Sequence, residues 1–122
     1  MISRGGRIAK YTWREGLNGL LFKLADCKAR NDHQLHIVGA EIVSKTEKPL
    51  MKLIRAMGEK FSPEDVEVVL NQTYTKMYRS IESYNGESEY IRDKDTIAWT
   101  WIKQITKCLV IDRLSGIRLI VN

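Results

Sequence analysis

The residues best suited to chemistry in this chain lie on one predicted helix near its carboxyl end. Trp99, Lys103 and Lys107 follow one another at four-residue spacing, so a helix would place them on its outward face with Val110, and Arg113 to one side. Bases stack on an exposed indole ring, and ammonium groups one turn apart can follow phosphates. The pattern therefore predicts a face for single-stranded nucleic acid. The alternative is that Trp99 packs on a neighbouring helix and the lysines are ordinary solvated charges.

Tyrosines provide a second set of candidates. Tyr84 and Tyr90 border the charged segment ESEYIRDKD at 87–95, and both are predicted to contact a ligand. Tyr74 and Tyr78 occupy positions typical of the flank of a helix core; the alternative is that they form a base-stacking ladder with Tyr84.

Residues for catalysis or metal binding are few. Histidine occurs only at 33 and 36, and the chain contains no serine-hydrolase, phosphate-binding-loop or zinc-protease motif. We expect a non-enzymatic protein without a metal or cofactor. Cys27 and Cys108 are far apart and are expected to be reduced, the second within a helix core.

Length and charge narrow the class of protein. A chain of 122 residues suits one domain. The formal net charge of +5 is concentrated at the basic ends, whereas the middle is acidic, as expected for a protein that meets a polyanion and a basic partner. Many proteins without such partners have a similar charge distribution.

No apolar run approaches the length of a membrane span, and no secretory signal opens the chain, so we expect a cytoplasmic protein.

Helical spacing of apolar residues predicts two helices in the first half of the chain. Thr12 and Glu15 form a capping-box pattern before the first helix, which closes at Asn31-Asp32. The apolar positions of this helix are Leu17, Leu20, Leu21, Leu24 and Ala25.

The second helix is predicted from about residue 34 to residue 57, where Gly58 ends it. Pro49 removes a backbone donor, so a kink or break near Thr46 is expected. The predicted apolar face consists of Ile37, Ala40, Ile42, Val43, Leu50, Leu53, Ile54 and Met57.

Ser62-Pro63-Glu64-Asp65 indicates the start of a third helix. Ser62 suits the cap, Pro63 the first helical position, and the two acids the positive end of the helix dipole. The helix is expected to end before the Asn85-Gly86 turn. Its predicted buried stripe is Val66, Val69, Leu70, Thr73, Met77 and Ile81.

The last helix is predicted to be capped by Asp95 or Thr96 and to close at Gly116. Its predicted core face is Ala98, Trp101, Ile102, Ile105, Cys108, Leu109 and Asp112. Together these patterns predict an all-α fold, a compact bundle of four or five helices. Residues 1–30 are expected to form a basic extension with a helix, 31–116 the main helical domain, and 117–122 a C-terminal tail.

Residues 62–114 resemble region 2 of bacterial RNA polymerase sigma factors, especially the extracytoplasmic-function group. An acidic helix, a turn with tyrosine and glycine, and a tryptophan-bearing helix ending in IDRL follow in the order of that family. The matching positions before the charged segment are Glu64, Asp65, Glu67, Val69, Tyr74, Tyr78, Arg79, Tyr84 and Gly86. Those in the last helix are Trp101, Ile105, Leu109, Ile111, Asp112, Arg113 and Leu114.

The resemblance implies a region 2-like domain over 31–116 that binds core RNA polymerase and melted promoter DNA. The clamp of the largest polymerase subunit would be contacted by Glu67, Asn71, Gln72 and Thr75. The single-stranded −10 element would be held by Tyr84, Asn85, Tyr90, Arg92, Lys94, Trp99, Lys103, Lys107 and Arg113. An anti-sigma factor is a further partner that the resemblance implies.

Two other functions remain open from the sequence. Val68, Asn71 and Gln72 stand where the family has an acid, a glutamine and a glutamate, so the clamp-binding surface is less acidic than usual. This favours a sigma-like protein-interaction module, a decoy or regulator that melts no DNA. The third possibility is a general basic helical DNA-binding protein.

Overall fold

The computed structural model describes residues 16–87 and 93–121, the last five of them by their backbone. This part of the chain contains four α-helices, a 3-10 turn at Ile81–Ser83 and no strand. The helices are α1 (Leu17–Ala29), α2 (Leu35–Met57), α3 (Pro63–Arg79) and α4 (Lys94–Val121). The prediction of an all-α fold is confirmed. The predictions at Thr12, Glu15, Tyr90 and Arg92 lie outside the described residues.

The described chain divides into two units. The first unit holds the described residues 16–45, 81–87 and 93–99, which include α1, the first part of α2, the 3-10 turn and the start of α4. The second unit holds residues 46–80 and 100–121, which include the rest of α2, all of α3 and the rest of α4.

Helix α1 begins without a capping side chain of its own. Its cap position is Gly16, and the Oδ1 atom of Asp95 instead accepts a hydrogen bond of 3.0 Å from the backbone N–H of Asn18. Asp95 therefore caps α1 across the first unit. The predicted role of Asp95 or Thr96 as the cap of α4 is wrong, because Asp93 Oδ1 accepts from the N–H of Asp95 at 2.9 Å.

Helix α1 ends where predicted and α2 has the predicted extent, whereas α1 begins at Leu17 and not after Thr12. Leu17, Leu20, Leu21 and Leu24 are buried along α1. The chain turns at Asn31, whose φ is +52°, while the N–H of Asp32 donates to the carbonyl of Cys27 at 2.9 Å. This left-handed residue satisfies a terminal carbonyl and ends the helix, as predicted.

Helix α2 runs through Pro49 and ends before Gly58. Its buried row has four-residue spacing and consists of Val38, Ile42, Thr46, Leu50 and Ile54. The predicted apolar face is thus only partly correct, because Ile37 is 58% exposed and Ala40 is exposed. Apolar residues occur on both sides of this row, and the neighbouring elements decide which side is covered.

Three buried threonines lie in the second unit, and each hydroxyl has a hydrogen-bond partner. Thr73 donates to the carbonyl of Val69 at 2.9 Å, and Thr106 donates to that of Ile102 at 3.1 Å. The Thr46 hydroxyl lies 2.8 Å from that of Tyr74. All three buried threonine hydroxyls are therefore paired. Burial of the Tyr74 side chain raises the pKa of its own hydroxyl.

Helix α4 differs most from its prediction. It continues past Gly116 to Val121, so Gly116 does not close it. The buried row is Ala98, Ile102, Thr106 and Val110; the predicted outward position of Val110 is therefore wrong. Cys108 and Asp112 are exposed rather than in the core.

Thr106 was not part of the predicted core face of α4, yet it is buried. Its hydroxyl donates to the carbonyl of Ile102 within the helix, which removes the cost of burying it. Trp101, predicted for the core, is half-buried, as are Ile105 and Leu109.

In the described ranges no helix combines the length and hydropathy needed to cross a membrane.

Candidate functional site

The amino end of α3 is fixed by a complete capping box. The Ser62 hydroxyl accepts a hydrogen bond of 3.1 Å from the N–H of Asp65, and Asp65 Oδ2 accepts one of 3.0 Å from the N–H of Ser62. Pro63 occupies the first helical position. These are the predicted start signals, and the reciprocal pair satisfies two donors that the helix leaves unpaired.

Asp65 also joins α3 to α4 within the second unit. Its Oδ1 atom accepts hydrogen bonds from Nε of Arg113, at 2.9 Å, and from Nη2. The hydrogen bond from the backbone of Ser62, followed by that from Arg113, lowers the pKa of Asp65. The Arg113 guanidinium is thus paired with a carboxylate, and its predicted contact with a phosphate stays a prediction.

The outward face of α3 carries the four residues predicted to bind polymerase. Glu67, Asn71, Gln72 and Thr75 are all exposed. The opposite face is buried at Val66, Val69, Leu70, Thr73 and Met77, as the stripe predicted. The amphipathic period of α3 therefore separates a packing face from a face available to partners.

A groove of about 400 Å³ runs along this outward face. It is lined by Val68, Asn71, Gln72, Thr75, Lys76 and Arg79 of α3 and by Leu109 of α4. Three of the four predicted polymerase contacts thus share one groove, whereas Glu67 is outside its lining. Thr75 donates its hydroxyl to the carbonyl of Asn71 at 3.0 Å, and the side-chain amides of Asn71 and Gln72 also line the groove.

Lys76 and Arg79 are groove residues that sequence reasoning did not select. Both are exposed, and neither forms an ion pair with another residue in the described ranges. Their place in the last turn of α3 gave the available signal, although cations are common at that end simply because they favour the helix dipole. Their place beside a groove becomes evident only in the structure, where Leu109 of α4 lines the same groove.

The basic face predicted on α4 is present in part. Lys103 and Lys107 are exposed in the second unit, and Trp99 is half-buried in the first. The structure therefore leaves both lysines accessible to a polyanion while covering part of the indole ring.

Tyr84, predicted to contact a ligand, has its ring buried in this structure. The side chain is 7% exposed, its hydroxyl donates to Asn18 Oδ1 at 2.6 Å, and its ring centroid lies 5.3 Å from that of Phe22. Burial, together with the nearby charge of Asp95, raises its pKa. The turn that follows places Gly86 at φ +72°, a conformation that glycine adopts without strain.

The remaining predicted DNA-binding residues lie around the charged loop. Asn85 is exposed. Lys94 forms an ion pair of 2.8 Å with Glu87 and donates to the carbonyl of Gly86 at 3.3 Å. Lys94 is nevertheless exposed, and an exposed pair of this kind is weak enough for a phosphate to replace its carboxylate.

No group of three metal-binding side chains occurs within residues 16–87 and 93–121. Cys27 is a buried free thiol, and burial raises its pKa. Cys108 is an exposed free thiol.

Comparison with known proteins gives no relative from which to assign a role. No protein-family model matches the chain, no curated protein matches it, and no solved structure matches it.

Proposed function

We propose that this chain is a sigma-like, non-catalytic transcription initiation domain that binds core RNA polymerase and holds the melted −10 region of a promoter. The observation that carries the proposal is the outward face of α3. Glu67, Asn71, Gln72 and Thr75, the positions that match the polymerase-binding surface of sigma region 2, are all exposed there. Three of them line one groove.

In this proposal α3 acts as a preformed docking helix. Its start is held by Ser62 and by the Asp65–Arg113 pair, so little conformational freedom is lost when the clamp of the largest subunit binds. The amides of Asn71 and Gln72 hydrogen-bond with the partner, because each can both donate and accept.

DNA binding is assigned to the exposed cations of α4. Lys103 and Lys107 follow the phosphates of the non-template strand, and the accessible edge of Trp99 contacts a base. Tyr84 and Arg113 act indirectly in this proposal, since one supports the turn before the charged loop and the other positions α3. The protein acts in the cytoplasm, where polymerase and DNA meet.

The test of polymerase binding is retention of purified core RNA polymerase on the immobilised chain. Replacing Glu67, Asn71 and Gln72 together with alanine should abolish retention without changing the helical circular dichroism. The triple variant Glu47→Ala, Gln104→Ala and Ser115→Ala removes the same number of charges from other exposed positions and should retain polymerase like the wild type. Equal retention by all three proteins would refute the assigned surface.

The DNA face has a separate test. Replacing Trp99, Lys103 and Lys107 with alanine should weaken binding to the non-template strand of a −10 element, the ring alone contributing roughly 1–3 kcal/mol. Unchanged affinity at the same salt concentration would remove this face from the proposal.

A second function, a polymerase-binding decoy or regulator without DNA melting, is favoured by the burial of Tyr84 and the pairing of Arg113. It predicts polymerase retention that depends on Asn71 and Gln72, together with no preference for either promoter strand. An anti-sigma factor would be expected to compete for the same α3 face.

A further inference from the structure

The outward face of α3, which contains the groove, is polarised in charge along the helix. Lys76 and Arg79 line its carboxyl-terminal end. Glu64 and Glu67 are exposed toward the amino end of the same helix, and helical spacing places Glu64 one turn before Val68. A partner that lies in the groove meets the two cations, and one that extends past its amino-terminal end also meets the two carboxylates.

The floor between these charges is aliphatic. Val68 and Leu109 are half-buried groove residues, and the Asn71 and Gln72 amides lie beside them. An aliphatic side chain can be covered by this floor while a neighbouring backbone or amide group bonds to the two amides.

We propose that the groove binds an acidic protein segment, with an aliphatic side chain on Val68 and Leu109 and its carboxylates on Lys76 and Arg79. The inference rests on the proposed function, because the acidic segment would belong to the partner that docks on α3. An acidic clamp-binding helix would instead be expected to meet a basic segment. The carboxylates of Glu64 and Glu67 disfavour the opposite orientation, so they set the direction in which the segment lies.

The composition of the groove favours a protein over a nucleic acid. Its seven lining residues include no aromatic ring, so it offers no surface on which a base stacks. Phosphates along a strand would reach Lys76 and Arg79 but would also approach Glu64 and Glu67, at a cost that a mixed-charge protein segment avoids.

The experiment uses two short synthetic helical peptides of equal length. Both carry leucines on one face; one has glutamates at its other positions and its twin has lysines. Isotope-labelled protein is titrated with each, and the side-chain amide signals of Asn71 and Gln72 report on the groove itself. The glutamate peptide should shift these signals saturably, and the lysine peptide should leave them unchanged.

Charge reversal provides the matched variants. Lys76→Glu with Arg79→Glu should lower affinity for the glutamate peptide about three- to tenfold, as expected for two exposed ion pairs, and should allow the lysine peptide to bind. Lys48→Glu with Lys52→Glu changes the net charge equally at exposed positions of α2 outside the groove lining, and should leave the preference for the glutamate peptide intact.

Each result decides between occupants. Absence of a shift with either peptide, a preference for the lysine peptide, or equal losses in both double reversals would overturn the proposal. A shift of the same amide signals by an oligothymidine strand, and by neither peptide, would assign the groove to nucleic acid. If wild-type protein ignores polymerase yet distinguishes the two peptides, the proposed function fails and the specificity of the groove stands.

Discussion

Two sets of candidate contact residues, one in each unit, are used in opposite ways. In the first unit, Tyr84 donates to Asn18, and Asp95 accepts from the same residue's backbone, so groups that could meet a ligand hold the fold instead. In the second unit, the Asn71 and Gln72 side chains lie on the outside of α3. The structural role in this helix belongs to other residues, the capping pair Ser62 and Asp65 at its start.

The contrast shows that residue type indicates which contacts a side chain can make, whereas burial determines whether a partner can reach that side chain. Tyr84 and Asn71 were both candidates for partner contact. A 7% exposed tyrosine contributes mainly to stability, whereas an exposed amide contributes little to stability and is accessible to a partner. The following substitutions should therefore affect stability in the first unit more than in the second.

The largest expected effect comes from removing the buried ring in the first unit. Tyr84→Ala should lower the free energy of unfolding by about 3–5 kcal/mol, because it leaves a cavity beside Phe22. Tyr84→Phe should cost about 1 kcal/mol, since it removes only the hydrogen bond to Asn18. Urea denaturation provides the values, and Gln72→Ala, within about 0.5 kcal/mol of wild type, is the comparison. A loss for Tyr84→Ala no greater than for Gln72→Ala would contradict the contrast between the units.

Two glycines offer a matched pair. Gly86 has φ +72°, and an added Cβ would lie 2.7 Å from the Phe22 ring, so Gly86→Ala should destabilise the protein by about 1–2 kcal/mol. Gly116 lies within α4 with open space around it, so Gly116→Ala should stabilise it by roughly 0.5–1 kcal/mol. Thermal unfolding followed by circular dichroism should show shifts of opposite sign; shifts of the same sign would disprove the assigned turn conformation.

The cap across the first unit should have an intermediate effect. Asp95→Ala should cost about 1 kcal/mol, because the first turn of α1 loses its acceptor. Hydrogen exchange at the Asn18 amide should accelerate in this variant and change little in Asp95→Asn, whose amide oxygen can still accept. Unaltered exchange in Asp95→Ala would mean that another group caps α1.

The smallest expected effect concerns acid stability in the second unit. The pKa of Asp65 is lowered in the folded state by Ser62 and then Arg113, so its contribution is complete above the ordinary carboxylate range. The contribution disappears as the pH falls through the folded-state pKa. Asp65→Asn should therefore reduce the melting temperature near neutral pH and match wild type in strong acid.

Glu82 is the corresponding carboxylate in the first unit, because its pKa is lowered chiefly by its hydrogen bond from Lys28. Glu82→Gln should also make the melting temperature less dependent on pH in acid, while leaving the capping box of α3 intact. A melting-temperature difference for Asp65→Asn that persists unchanged into strong acid would show that its charge makes no contribution.

Much of the fold was predictable because its signals are local. Ser62-Pro63 begins α3, Asn31 ends α1, and the leucine spacing of α1 identifies its buried face; each depends on a few neighbouring residues. The face of α4 was not predictable in the same way. Thr106 is buried and Cys108 exposed, and hydropathy ranks them in the opposite order.

By itself, the sequence determined the helical class, the start of α3 and its outward polar row, because capping and amphipathic period act within one helix. Tertiary structure alone decided that Asp95 caps α1, that Tyr84 is covered by Phe22, that Arg113 is held by Asp65, and that Leu109 completes the groove beside Lys76 and Arg79. Each of these depends on residues brought together from distant parts of the chain, and periodicity along one helix carries no information about which side chain arrives from another.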